Sequence, residues 1–128
     1  MDMLKVLLIA VGGAAGTLTR YGTYTLLQRP MERTLFPFGT LAVNLLGCLV
    51  MGLLQGLFQG RVVSDPRVQV ALTVGFLGGY TTFSAYGWDT TAFLEEKQYL
   101  LATVNVAANN VLGIGLVIVG YLVARPRP

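Results

Sequence analysis

The chain has 128 residues, 54% of them hydrophobic and 12% charged, with a net charge of +3, a single cysteine and no histidine. A mean hydropathy of +0.64 and a charged fraction well below the roughly 25% of soluble domains exclude a water-soluble globular domain and indicate an all-α membrane protein. Without histidine and with scattered acids, neither a histidine-based metal site nor a Ser-His-Asp triad can be assembled, and the basic residues sit mostly near expected helix ends, so nothing calls for nucleic acid.

Four apolar runs, each longer than the roughly 20 residues that span hydrocarbon, predict helices over 3–27, 36–58, 68–94 and 99–123, a single transmembrane domain over 1–128. The first run is too long and too rich in glycine for a signal-peptide core, and no small-residue cleavage site is followed by a soluble mature chain, so it is expected to stay as a helix. Within it Gly12, Gly16 and Arg20 recur every four residues on one face, and the small residues let another helix approach closely. Arg20 leaves two readings open: a charge inside the span that pairs with a carbonyl, an acid or a wet vestibule, or a helix that simply ends there.

The second helix opens at Phe36-Pro37-Phe38-Gly39-Thr40, with proline expected in the first turn. Thr40, Asn44, Gly47 and Met51 then share a face. An amide in hydrocarbon must find partners, and spacing leaves Asn44 either joining helices or offering its NH2 to a passing ligand. Gly52 and Gly56 form another small-residue pair for packing, and Cys48, mid-span and alone, reads as a buried packing residue. Ser64-Asp65-Pro66 is a turn in which Asp65 caps the third helix and Pro66 takes its first position.

The string Gly78-Gly79-Tyr80-Thr81-Thr82-Phe83-Ser84 sets two glycines and three threonine or serine hydroxyls in the middle of the third apolar run, and predicts a break near 78–82. Loosened backbone at that depth survives only where protein buries it or where it lines a polar cavity or ion path. Beyond the break Phe83 and Tyr86 share a face, Trp88 nears the interface, and Asp89 either reaches a wet funnel or caps polar backbone. In the fourth helix Asn105, Asn109 and Gly113 form a second polar stripe, while Asn110 and Thr103 lie on a different side, so the amides cannot all address one partner.

With four spans, Lys5, Arg61, Arg67, Arg125 and Arg127 fall on one side of the membrane and Arg29, Arg33 and Lys97 on the other, a bias too weak to set one orientation. Two copies meeting antiparallel would build an inverted repeat from separate chains, and a singly oriented protein is the other reading.

Three motifs converge: Gly13-Ala14-Ala15-Gly16 followed by Arg20-Tyr21; Phe36-Pro37-Phe38-Gly39-Thr40 running on to Asn44 and Gly47; and Gly75-Phe76-Leu77 followed by Gly78 to Ser84. Together, over essentially the whole chain, they resemble the Fluc family of fluoride channels. The resemblance implies an antiparallel, dual-topology homodimer in the prokaryotic plasma membrane, with two pathways through which fluoride leaves passively to limit its cytoplasmic toxicity. It also implies a structural sodium ion at the dimer centre, held by the backbone carbonyls of Gly78 and Thr81, and no enzymatic activity. Asn44 takes the position of the pore amide and Phe83 that of the first pore aromatic. Tyr86 stands where the family usually has phenylalanine and adds a hydroxyl to the path. Asn105 and Asn109 fall at polar-track positions more often filled by tyrosine and serine, Thr40 and Ser84 add hydroxyls, and Arg20 belongs to the entry vestibule.

The chemistry is coherent without the family. Fluoride is strongly hydrated, so a path must replace its water with donors, and neutral donors allow release where a full charge would trap the ion. Two rival readings remain at this level. A small dual-topology proton-coupled cation exporter needs an embedded carboxylate, for which Asp89 is the sole candidate. A non-transporting assembly subunit would use its glycine faces for packing alone, and would tolerate Phe83→Ile and Thr81→Ala with only a loss of stability.

Overall fold

The computed structural model describes residues 2–31 and 33–127, and among these every regular element is helical. Asp2 starts α1 (Met3–Gln28) by accepting from the backbone N–H of Leu4 at 3.1 Å and of Lys5 at 3.4 Å. A single 3-10 turn, Arg29–Met31, follows. Helix α2 (Phe38–Gln59) begins one residue after Pro37, so the proline is the cap residue rather than part of the first turn, and the freed N–H of Gly39 donates to Gln28 Oε1 at 2.9 Å. Asp65 and Pro66 open α3 (Pro66–Val70) as cap and first residue. A π-helical segment (Ala71–Leu77) and the short α4 (Gly78–Tyr80) continue it. Beyond an interruption come α5 (Phe83–Glu95), α6 (Tyr99–Ala107), a second π-helical segment (Ala108–Leu112) and α7 (Gly113–Ala124).

Among the described residues three helical stretches are long and apolar enough to cross a membrane: Met3–Met31, Phe38–Gln59 and Tyr99–Ala124. The stretch from Pro66 to Glu95 is divided at Thr81 and Thr82, both extended, with φ/ψ of −79°/158° and −146°/105°. Gly78 and Gly79 themselves stay helical within α4, and neither has a positive φ. Gly79 instead serves close approach: a Cβ there would lie 2.5 Å from the Gly13 carbonyl oxygen of α1. A methyl on Gly16 would overlap the Phe76 carbonyl from the other side of the same contact. Gly52 and Gly120 do the same for α2 against α7, where a Cβ on Gly120 would come within 2.5 Å of the Leu49 carbonyl oxygen.

The buried apolar centre is small, with Val43, Leu77 and Tyr80 flanked by Met51, Leu54 and Phe76. Large apolar side chains such as Leu18, Leu26, Val111 and Val123 face outward, as expected of a chain whose solvent is lipid.

Candidate functional site

The break is held open by one side chain. In an uninterrupted helix the Thr82 N–H would donate to the Gly78 carbonyl; here it donates to Asn44 Oδ1 at 2.9 Å. Asn44 Nδ2 returns a bond to the Thr82 carbonyl at 3.2 Å, so the amide grips both polar groups of one residue. Thr82 in turn caps α5, its Oγ1 accepting from the Ala85 N–H at 3.2 Å.

A directional relay extends from this clamp. Asn44 Nδ2 donates to Asn109 Oδ1 at 3.0 Å; Asn109 Nδ2 donates to the carbonyl and Oδ1 of Asn105 at 3.0 and 3.1 Å; Asn105 Nδ2 donates to Thr90 Oγ1 at 2.9 Å; and Thr90 Oγ1 donates to the Tyr86 carbonyl at 2.8 Å. Each amide thus presents its oxygen to one neighbour and its nitrogen to the next, leaving one consistent orientation for all three. Of the two roles that spacing left to Asn44, the geometry realises the bridging one.

Two cavities flank the break. One, of about 360 Å³, is lined by Asn44, Thr81, Phe83, Tyr86, Asn109 and Asn110, with Gly78 and Cys48 also on its wall. The other, of about 410 Å³, is lined by Arg20, Thr40, Thr82 and Ser84. The residues nominated from the sequence therefore divide between two spaces. Asn105 lines neither: it is fully buried and serves to orient Asn109.

Arg20 lies within α1, which runs on to Gln28, so the reading that the helix ends there is overturned. Its Nη1 donates to the Thr81 carbonyl at 3.3 Å, a carbonyl freed by the break. Phe83 and Tyr86 meet edge to face, ring centroids 5.3 Å apart at 66°. Asp89 lines neither of the two but a third cavity of about 130 Å³ with Pro37 and Glu96, while its carboxyl accepts from Thr40 on the wall of the second. Its Oδ2 is buried with no hydrogen-bond partner among the described residues.

Asn110 was placed on a different side of the fourth helix from Asn109. The adjacent amides do address different partners, Asn44 and Tyr86, yet both line the same cavity. They sit in the π-helical segment, whose wider turn brings successive side chains closer in angle than an α-helix does. The visible signal was the Asn-Asn pair itself within an apolar run.

Among the described residues no group of three or more His, Cys, Asp or Glu could hold a metal. The oxygens fit for a hard cation are backbone ones: the Gly78 carbonyl, deprived of its helical donor, and the Thr81 carbonyl, whose second lone pair is left beside Arg20.

A family model described as "CrcB-like protein, Camphor Resistance (CrcB)" matches residues 7–121. Proteins named "Fluoride-specific ion channel FluC" are similar over nearly their whole length. The one from Maridesulfovibrio salexigens is 39% identical over 96% of this chain and 97% of its own. That from Solibacter usitatus is 42% identical over 95% and 99%, and that from Thermococcus kodakarensis 38% over 98% and 99%. With its long apolar helices the chain is a multi-pass protein of the cell membrane. From the N-terminal helix to the last, the match makes this chain a member of the CrcB-like family.

Proposed function

We propose that this chain is a fluoride-selective channel through which the ion leaves a prokaryotic cell passively. The observation that carries the reading is the interrupted helix: a break clamped by a second-helix amide, with a largely apolar cavity carrying a few polar side chains on each side, in a chain whose relatives are named as fluoride-specific channels. Irregular backbone at membrane depth has this use where it lines an ion path.

In the working form, the two halves on either side of Thr81-Thr82 together make a fourth span, and two copies associate antiparallel in dual topology to give two pathways. Arg20 in the wider cavity draws anions toward the break without holding them, because its guanidinium is engaged by the Thr81 carbonyl. Thr40 and Ser84 supply hydroxyls on that side. On the other, Asn44 and Asn109 fix the wall while the edges of Phe83 and Tyr86 face the ion with partial positive charge. The few neutral donors left free on these walls replace water around a small anion and fit chloride poorly. Gly78 and Thr81 from both copies would hold a sodium ion at the dimer centre, where it would satisfy freed carbonyls and tie the copies together.

The test is efflux from liposomes holding the purified protein, followed with fluoride and chloride electrodes after valinomycin. Rapid fluoride release with chloride retained is expected. No release from verified dimers would sink the proposal. The buried, unpartnered Oδ2 of Asp89 supports the alternative of a proton-coupled cation exporter, for which cation uptake driven by a pH gradient and lost in Asp89→Asn is the signature.

A further inference from the structure

Within the cavity of about 360 Å³ nearly every side-chain hydrogen is already spent. Asn44 gives both N–H groups to the Thr82 carbonyl and Asn109. Asn109 gives its pair to the two oxygens of Asn105. Thr81 and Thr73 donate back to the carbonyls of Leu77 and Gln69 at 3.0 and 2.8 Å. Asn110 Nδ2 donates to the Val106 carbonyl at 2.8 Å and to Tyr86 Oη at 3.2 Å. A carbonyl only accepts, so the atom of Asn110 facing Val106 must be the nitrogen, and the same nitrogen faces the phenol. Tyr86 is therefore the acceptor in that pair, and its own hydroxyl hydrogen is left over. Among the described residues it is the one amide or hydroxyl hydrogen on this cavity wall without a protein acceptor, the thiol of Cys48 being a much weaker donor.

We infer that Tyr86 donates its O–H directly to the anion in this cavity, and that Asn110 is a positioning residue which occupies the phenol's lone pair so that the proton faces the path. The inference rests on the fluoride-channel reading and assigns a donor within it. A phenylalanine at position 86 would leave only ring C–H edges. The bond to Asn110 also polarises the phenol, since a hydroxyl that accepts a hydrogen bond donates a stronger one.

The experiment measures fluoride flux against fluoride concentration in liposomes for the parent, Tyr86→Phe, Asn110→Ala and the double variant. A hydrogen bond to a charged acceptor lost from the cavity raises the half-saturating concentration roughly tenfold in Tyr86→Phe. Asn110→Ala, which leaves the phenol free to turn, is expected to raise it roughly threefold. In the Tyr86→Phe background the Asn110 change should add nothing, an outcome that a merely structural role for Asn110 does not produce. Asn110→Ser stands in if the alanine variant fails to assemble. Parent-like half-saturation in Tyr86→Phe overturns the donor assignment, and equal effects of Asn110→Ala in both backgrounds overturn the positioning role. A parent that passes no fluoride fails before any variant is compared and removes the channel reading together with this one.

Discussion

Asn44→Asp keeps the shape of the clamp and reverses half of its chemistry. The Thr82 N–H retains its acceptor, but the two groups that took hydrogens from Asn44 Nδ2, the Thr82 carbonyl and Asn109 Oδ1, now face an oxygen. Turning Asn109 over does not relieve this, because its oxygen would then meet the carbonyl and Oδ1 of Asn105, and Asn105 Nδ2 is committed to Thr90. Two acceptors left without donors cost about 1–3 kcal/mol each. The carboxylate also repels a passing anion: at about 4 Å and an effective dielectric of about 20 the interaction is roughly 4 kcal/mol, which at 1.36 kcal/mol per decade is a roughly thousandfold barrier. Asn44→Asp should therefore lower the unfolding midpoint in detergent and abolish fluoride efflux from protein that still elutes as the parent does. Efflux within twofold of the parent, with an unchanged midpoint, would refute both the relay and the place of Asn44 on the path.

Three further outcomes follow from other parts of the structure. Gly16→Ala forces a methyl against the Phe76 carbonyl and should destabilise the protein by about 1–3 kcal/mol, whereas Gly22→Ala on the same helix meets nothing within 4 Å and should stabilise it by about 0.5–1 kcal/mol; detergent thermal denaturation separates the two. Lys97 ends α5 with φ at 59°, and the Gln98 N–H closes back on the Phe93 carbonyl at 2.8 Å, so Lys97→Gly should add about 1 kcal/mol of stability by removing the left-handed strain, read in the same assay. Arg20→Met withdraws the guanidinium from the wider cavity and should slow fluoride entry roughly tenfold at low salt, the gap closing as ionic strength rises; salt-independent loss would refute steering.

What could be read from the amino acids, and what could not, divides along a physical line. Apolar length and small-residue spacing report on single helices, so the long apolar helices and the Gly12, Gly16 face were legible in advance. The interruption was legible as a place but not as a cause, for within that string the two glycines remain helical, with Gly79 packed against α1, while the two threonines leave the helix. That exchange needs Asn44, 38 positions away, to capture the Thr82 N–H, and no local pattern announces so distant a bond. The two π-helical segments were invisible for a related reason, since an extra residue in a turn is set by packing against neighbours rather than by propensity. With them went the convergence of Asn109 and Asn110 on one cavity.

The relay also changes what an amide-rich path means. Stripes of asparagine in an apolar helix invite the view that each offers hydrogens to an ion, yet here the three amides of the relay spend theirs on one another, on the break and on Thr90. Their contribution to the proposed channel is rigidity: donors already bound cannot swing out to follow an ion, so the wall would keep its bore as an ion passes. A close-fitting path discriminates by size only if its wall does not yield, and a path that must also release the ion gains from few free donors rather than many. In the proposed channel the same network serves both requirements, holding the break in one shape while leaving the ion a small number of neutral donors.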